Sequence, residues 1–165
     1  MLGKPTGTEE TFINDMFYFA TEESIAVCGM TQEFTDNSAL GDAYVGIMDR
    51  NGDMFWSFSF TSIDTSSVAK ASECHYVGSY FEDETKLYAL LTTIIEEVGD
   101  KNRPVLVKFD RPHGSVIFAK VLNGTNSIPT AFYLDNEHDK LWIGYETISD
   151  GITDEFLVIE EYQGL

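Results

Sequence analysis

Polar turn segments recur between short apolar runs in this 165-residue chain, and they restrict it to folds rich in β-hairpins. The clearest turn is Asp-Arg-Asn-Gly-Asp at residues 49–53, where Asn-Gly supplies the positive φ that a tight turn needs. It joins apolar runs at 43–48 and 54–61. The second run alternates, which predicts that one set of aromatic rings faces the core: Trp56, Phe58 and Phe60.

The same pattern predicts two further hairpins and two more strands. One hairpin joins residues 103–109 to 115–122 about a turn at 110–114, and the other joins 130–134 to 140–147 about a turn at 135–139. The additional strands are expected at 24–30 and 156–162.

Two segments instead show helical spacing of apolar residues. Residues 9–20 open with acids, which suit the positive end of a helix dipole. In residues 82–98 six aliphatic side chains recur three and four apart before Gly99: Leu87, Leu90, Leu91, Ile94, Ile95 and Val98. The sequence therefore predicts one α+β domain over residues 1–165, an antiparallel sheet built mainly from hairpins with one or two packed α-helices.

The composition predicts a well-packed protein of a reducing compartment. Hydrophobic residues make up 43% and aromatic residues 13% of the chain, which is enough for a substantial core. The two cysteines, Cys28 and Cys74, lack zinc-type spacing and suit the cytoplasm. No run approaches the length of a membrane span and no signal peptide is evident, so a cytoplasmic protein is expected.

The net charge of −18 is distributed unevenly. Residues 1–49 sum to −8 and residues 135–165 also sum to −8, whereas the middle of the chain sums to only −2. Such a field repels nucleic acid and anionic membranes and attracts cationic surfaces. We therefore expect a basic protein partner, no direct nucleic-acid binding and no membrane binding; the charge leaves the oligomeric state undetermined.

The motifs of common enzymes are missing. The chain has no Gly-rich phosphate loop, no Gly-x-Ser-x-Gly and no His-Glu-x-x-His. Asp110 and His113 could pair for general base catalysis, but the sequence identifies no nucleophile beside them. Cys74 and His75 are adjacent, and neighbours on a strand point to opposite faces. A protein without enzymatic activity is therefore expected.

No metal or other cofactor is predicted. The loop at 49–53 has its glycine in the wrong place for an EF-hand. The loop at 135–139 offers three carboxylates and His138, but this is also the ordinary composition of a hairpin tip.

Carboxylates are the one group present in functional density. Alternate strand residues lie about 6.6–6.8 Å apart, of the same order as successive phosphates along a nucleic-acid strand. A row of acids could therefore occupy the basic groove of a nucleic-acid-binding protein. The candidate partner-binding residues are Glu9, Glu10, Glu22, Glu23, Asp135, Glu137, Asp139, Asp154, Glu155, Glu160 and Glu161.

These observations favour an acidic interaction protein that inhibits or sequesters a basic partner by mimicking nucleic acid, as phage inhibitors and nuclease immunity proteins do. A structural or assembly subunit, for example of a phage particle, is the alternative, and a small hydrolase using Asp110 and His113 is a third. Exposed aromatic residues that interleave with acids would favour the mimic, whereas segregated ones would favour assembly.

Overall fold

A computed structural model describes residues 9–33, 42–60, 71–80, 84–95, 101–122, 126–138, 140–147 and 158–163. These residues form antiparallel strands and contain no helix. Sheet I consists of β1 (Glu9–Phe19), β2 (Ser24–Glu33), β3 (Asp42–Asp49) and β4 (Met54–Phe60), in that order. Sheet II consists of β5 (Ala71–Gly78), β6 (Lys86–Ile95), β7 (Lys101–Asp110) and β8 (Ser115–Val121). Sheet III has the order β11-β10-β9, with β9 (Ser127–Asp135), β10 (Lys140–Thr147) and β11 (Val158–Gln163).

Sheet II is the central layer of the fold, because hydrophobic clusters cover both of its faces. Leu87 and Leu91 of β6 pack with side chains of sheet I in one cluster. Tyr88 and Leu90, the intervening residues, pack with Leu141 and other side chains of sheet III in a second cluster. Successive side chains of a strand point to opposite faces, so β6 contributes to both cores in alternation.

The helix predicted over residues 82–98 is wrong, because residues 86–95 form β6. A strand that is covered on both faces reads as a nearly continuous apolar run, without polar alternation. Such a run contains apolar residues three and four apart by necessity, and these imitate the stripe of an amphipathic helix. Residues 96–98 lie outside the described part of the chain.

The helix predicted over residues 9–20 is also wrong, because this segment forms β1. The pairing of β1 with β2 shifts between Ile13 and Asp15, which marks a β-bulge. A bulge adds one residue to the strand and so changes its alternation of faces. The apolar pairs on either side of the bulge are Phe12 with Ile13 and Met16 with Phe17. These residues are three and four apart, which is the spacing expected of one face of a helix.

The three predicted hairpins are confirmed. β3 pairs with β4, β7 with β8 and β9 with β10, and Gly52 has the positive φ, +88°, expected of the first turn. The strands predicted at 24–30 and 156–162 correspond to β2 and β11. Phe60 is buried and Trp56 packs against the core, but Phe58 is 37% exposed. Nowhere in the described residues is there a helix long and apolar enough to cross a membrane.

Candidate functional site

The acids of the β1–β2 hairpin lie at its two opposite ends. Glu9 and Glu10 begin β1, where Glu9 is opposite Glu33 of β2. Glu22 and Glu23 occupy the turn at the other end of the hairpin. A strand of this length separates its ends by about 30 Å, at about 3.3 Å per residue. The four N-terminal candidates therefore do not form one cluster.

Glu22 is held by Arg111, which follows β7. The Arg111 side chain is 6% exposed, and its Nη1 and Nη2 donate to the two carboxylate oxygens of Glu22 at 2.7 and 2.9 Å. Its Nε donates to the carbonyl of Glu84, and the guanidinium carbon lies 4.4 Å from the centre of the Phe19 ring. The hydrogen bond from Arg111 lowers the pKa of Glu22, against a smaller opposing effect of desolvation. This carboxylate therefore has its cation within the molecule.

Glu23 has a cation as well. Its Oε2 lies 2.9 Å from Nη1 of Arg50, and both side chains are largely exposed. An exposed pair of this kind adds little to stability, about 0–1 kcal/mol, but it offsets the negative charge locally. The end of sheet I near this turn is thus a region of mixed charge.

Several of the C-terminal candidate acids lie on sheet III or in its β9–β10 turn. Asp135 ends β9, and Glu137 is exposed in the following turn. On the far side of β10, Glu160 and Glu161 of β11 are opposite Ile143 and Trp142. Glu161 is two strands away from Asp135 across the sheet and two residues away along the strand direction, so their backbones are about 12 Å apart. Asp139, Asp154 and Glu155 lie outside the described residues.

The Asp135 carboxylate also shapes its own turn. It accepts hydrogen bonds from the Glu137 N–H at 3.1 Å and from Nδ1 of His138 at 2.9 Å. Desolvation acts to raise the pKa of Asp135, but His138 and the backbone donors outweigh it, and the pKa lies below its ordinary value. Asp135 is therefore ionised and partly engaged, whereas Glu137 projects into solvent.

Asp110 and His113 do form the carboxylate–imidazole pair that the sequence suggested. Nδ1 of His113 lies 2.6 Å from Oδ2 of Asp110, and Nζ of Lys86 lies 3.4 Å from Oδ1. The hydrogen bond from His113 is the largest influence on the pKa of Asp110 and lowers it. The His113 side chain is 78% exposed, and its hydrogen bonds within the described residues involve no hydroxyl or thiol group. The pair is a hydrogen bond at the surface, in a hairpin turn.

The polar groups of the two remaining candidate sites are used internally. Asp49 accepts hydrogen bonds from the backbone N–H groups of Asn51 and Asp53 at 2.8 and 2.9 Å, and the bond from Asp53 lowers its pKa most. Cys74 is buried toward sheet I, where burial raises the pKa of its thiol, whereas Nε2 of His75 lies 2.7 Å from Oγ1 of Thr92. The described residues contain no group of three metal-ligating side chains.

The outward side of sheet I carries an uncharged surface that the sequence analysis missed. We call it the docking face. Its members lie between the inward residues of β1–β4 and are Met16, Tyr18, Ile25, Tyr44, Met48, Met54 and Ser57. Met16 is 68% and Tyr18 is 56% exposed, and none of the seven is charged although the chain carries −18; the acid nearest to them on this side of β3 is Asp42, two residues before Tyr44. Methionine and aromatic side chains of this kind are typical of adaptable binding surfaces.

The centre of the docking face is closely packed. Met54 Sδ lies 3.8 Å from the Tyr44 hydroxyl, and both side chains approach the Cα of Gly46 so closely that a Cβ there would be 2.5 Å from Met54 Cε. Burial raises the pKa of Tyr44, partly offset by a hydrogen bond with Ser57. The signal in the sequence was that β2 and β3 are apolar at consecutive positions, which indicates that both faces are covered or available.

A cleft opens beside this face, between β1, β5 and β9. Its volume is about 310 Å³, and its walls are Asp15, Phe17, Val77, Gly78, Ser79, Phe132, Tyr133, Leu134 and Asn136. The bulge in β1 turns Asn14 and Asp15 toward the outer edge of β5. Asn14 Nδ2 donates to the Cys74 carbonyl at 2.9 Å, and Asp15 Oδ2 accepts from the Val77 N–H at 3.0 Å. These side chains satisfy backbone groups of an edge strand.

Comparison of the sequence with models of protein families gives no match, and comparison with curated proteins gives no significant relative.

Proposed function

We propose that this protein is a binding subunit without enzymatic activity, which docks onto a basic macromolecular partner through the uncharged docking face of sheet I. One observation carries the proposal: Met16 and Tyr18, which are 68% and 56% exposed, lie two residues apart on the outward side of sheet I in a chain whose net charge is −18. Contiguous exposed apolar surface of this kind marks interaction sites in soluble proteins.

Charge and apolar surface have different parts in this proposal. The negative field extends about a Debye length into solvent, about 8 Å at physiological salt, and steers a cationic partner toward the protein. Short-range affinity comes from desolvation of Met16, Tyr18 and their neighbours. Salt should therefore slow association strongly and change dissociation little.

The test uses capture from a lysate of the source cells, with identification of the captured protein and measurement of its affinity. Met16→Lys with Tyr18→Lys should weaken the purified complex at least about tenfold, since these are the two most exposed apolar side chains of the docking face and a few such residues dominate interface energies. Ile117→Lys is the matched control, because Ile117 of β8 is 47% exposed and lies on another sheet. Equal binding by the face variant and the control would overturn the proposal.

A second candidate is electrostatic competition for a nucleic-acid groove, as the charge pattern suggested. The observation that favours it is that Asp135, Glu160 and Glu161 lie on strands of sheet III, with Glu137 in the adjoining turn. Charge reversal of Glu160 and Glu161 to Lys should then slow association with the captured partner and relieve inhibition of its nucleic-acid binding. Unchanged association after both reversals would exclude this candidate.

A further inference from the structure

We propose that the cleft between β1, β5 and β9 binds a single cationic side chain, lysine or arginine, of the basic partner. The inference rests on the proposed function for the source of that side chain. It depends on the chemistry of the cleft itself for the choice of ligand.

Asp15 has no counter-ion among the described residues. Its carboxylate accepts one hydrogen bond from the described residues, from Val77 N–H, and no lysine, arginine or histidine in the described chain is within ion-pair distance of it. Three other acids with described side chains, by contrast, have a lysine or an arginine within this distance: Glu22, Glu23 and Asp110. A partly buried carboxylate without a counter-ion gains most from an incoming cation, because screening by solvent is reduced there.

The lining of the cleft is partly aromatic. Phe17, Phe132 and Tyr133 contribute walls of the same cavity as Asp15. Phe132 is fixed from behind by Tyr76, whose ring is stacked on it with centroids 6.3 Å apart and an interplanar angle of 7°. Tyr76 is itself held by a 2.7 Å hydrogen bond from its hydroxyl to the Thr130 carbonyl. Rings beside a carboxylate favour an ammonium or guanidinium group, through cation–π attraction and through contact with its aliphatic stem.

The size and the position of the cleft also suit a single side chain. The cavity of about 310 Å³ is at the lower limit of ligand sites, about 300–1,000 Å³, and suits one side chain better than a nucleotide or a peptide. It also adjoins the docking face. Asp15 and Phe17 point into the cleft side of β1, whereas Met16, between them, belongs to the docking face. A partner seated on sheet I could therefore insert a side chain around the edge of β1.

Close approach of β9 to β5 gives the cleft its shape. A Cβ on Gly78 would lie 3.1 Å from Phe132 Cε1 and 3.1 Å from Leu134 Cδ1. Its φ is outside the left-handed region, so alanine is compatible with the backbone there. Gly78→Ala should therefore push on the ring of Phe132 and narrow the cleft.

The experiment titrates the isolated protein with acetyl-arginine amide and acetyl-lysine amide, followed by amide NMR shifts, with acetyl-citrulline amide as the neutral probe. We expect saturable millimolar binding of the two cations, with shifts confined to residues around Gly78 and Phe132. Asp15→Asn keeps an acceptor for the Val77 N–H and removes the charge, and it should weaken binding about fivefold. Asp53→Asn, an exposed charge in the β3–β4 turn, is the matched control and should leave binding unchanged.

Tyr133→Ala removes a ring that is 64% exposed, so it should weaken binding without unfolding the protein. A second readout is the Tyr76 hydroxyl, because burial and the charge of Asp15 raise its pKa. A bound cation should lower that pKa in the wild type and have little effect in Asp15→Asn.

The inference is overturned if acetyl-citrulline amide binds as well as the cations, or if Asp15→Asn and Asp53→Asn behave alike. Its failure is distinguishable from failure of the proposed function. If the protein does not bind the cationic probes but Met16→Lys still weakens binding of the partner, only the proposed cleft site is excluded. If Asp15→Asn weakens binding of the probes but Met16→Lys leaves the affinity for the partner unchanged, only the proposed role of the docking face is excluded.

Discussion

Truncation of two neighbouring leucines tests whether β6 is buried on both faces. Leu90 and Leu91 are both 0% exposed, and they belong to different hydrophobic clusters. Leu→Ala in a closed core costs about 2–5 kcal/mol, from lost transfer energy and the cavity that remains. At about 3 kcal/mol, and about 2–4 °C per kcal/mol for a chain of this size, each variant should melt about 6–12 °C below wild type. Met16→Ala, at an exposed position, should change stability by less than about 0.5 kcal/mol.

Calorimetry or urea unfolding of the two variants gives the answer. If Leu90→Ala is as harmless as Met16→Ala while Leu91→Ala is costly, only one face of the segment is buried, and the central position of sheet II is wrong. Leu91→Asp is the stronger version of the test. An unpaired carboxylate there costs several kcal/mol, comparable with a net stability of about 5–15 kcal/mol, so this variant should be unfolded.

Three further outcomes are expected. Arg111→Lys loses the two-point contact with the Glu22 carboxylate and should lower the free energy of unfolding by about 1–3 kcal/mol, as measured by urea unfolding. An unchanged urea midpoint would contradict a stabilising role of the two hydrogen bonds from Arg111. At Gly114 the φ is +68° and an added Cβ would lie only 2.6 Å from Trp56 Cδ2, whereas at Gly52 an added Cβ meets no atom within 4 Å. Gly114→Ala should therefore lower the free energy of unfolding more than Gly52→Ala, with unfolding followed by tryptophan fluorescence. Desolvation lowers the pKa of His75 below its ordinary value of 6.5 in the folded state, so the free energy of unfolding should fall as the pH decreases below 6.5. His75→Gln should make the free energy of unfolding less dependent on pH in this range.

The sequence determined the local features of the fold. The turns at 49–53, 110–114 and 135–139 were predictable, because Asn-Gly, Gly and Asx residues fix backbone conformation through their own φ preferences and hydrogen bonds. The opposite orientation of Cys74 and His75 followed from strand geometry alone. The net charge and its uneven distribution along the chain are likewise properties of the sequence.

The tertiary structure decided which faces are covered and which charges are neighbours. Residues 86–95 form a strand because sheets I and III cover both sides of it, and periodicity cannot distinguish that environment from a helix. Glu22 is paired because Arg111, 89 residues away, folds back against it. The cleft likewise combines Asp15 with Phe132 only through the packing of β1 and β9 around β5. Contacts between distant segments have no periodic trace in a single sequence, since they depend on how whole sheets stack.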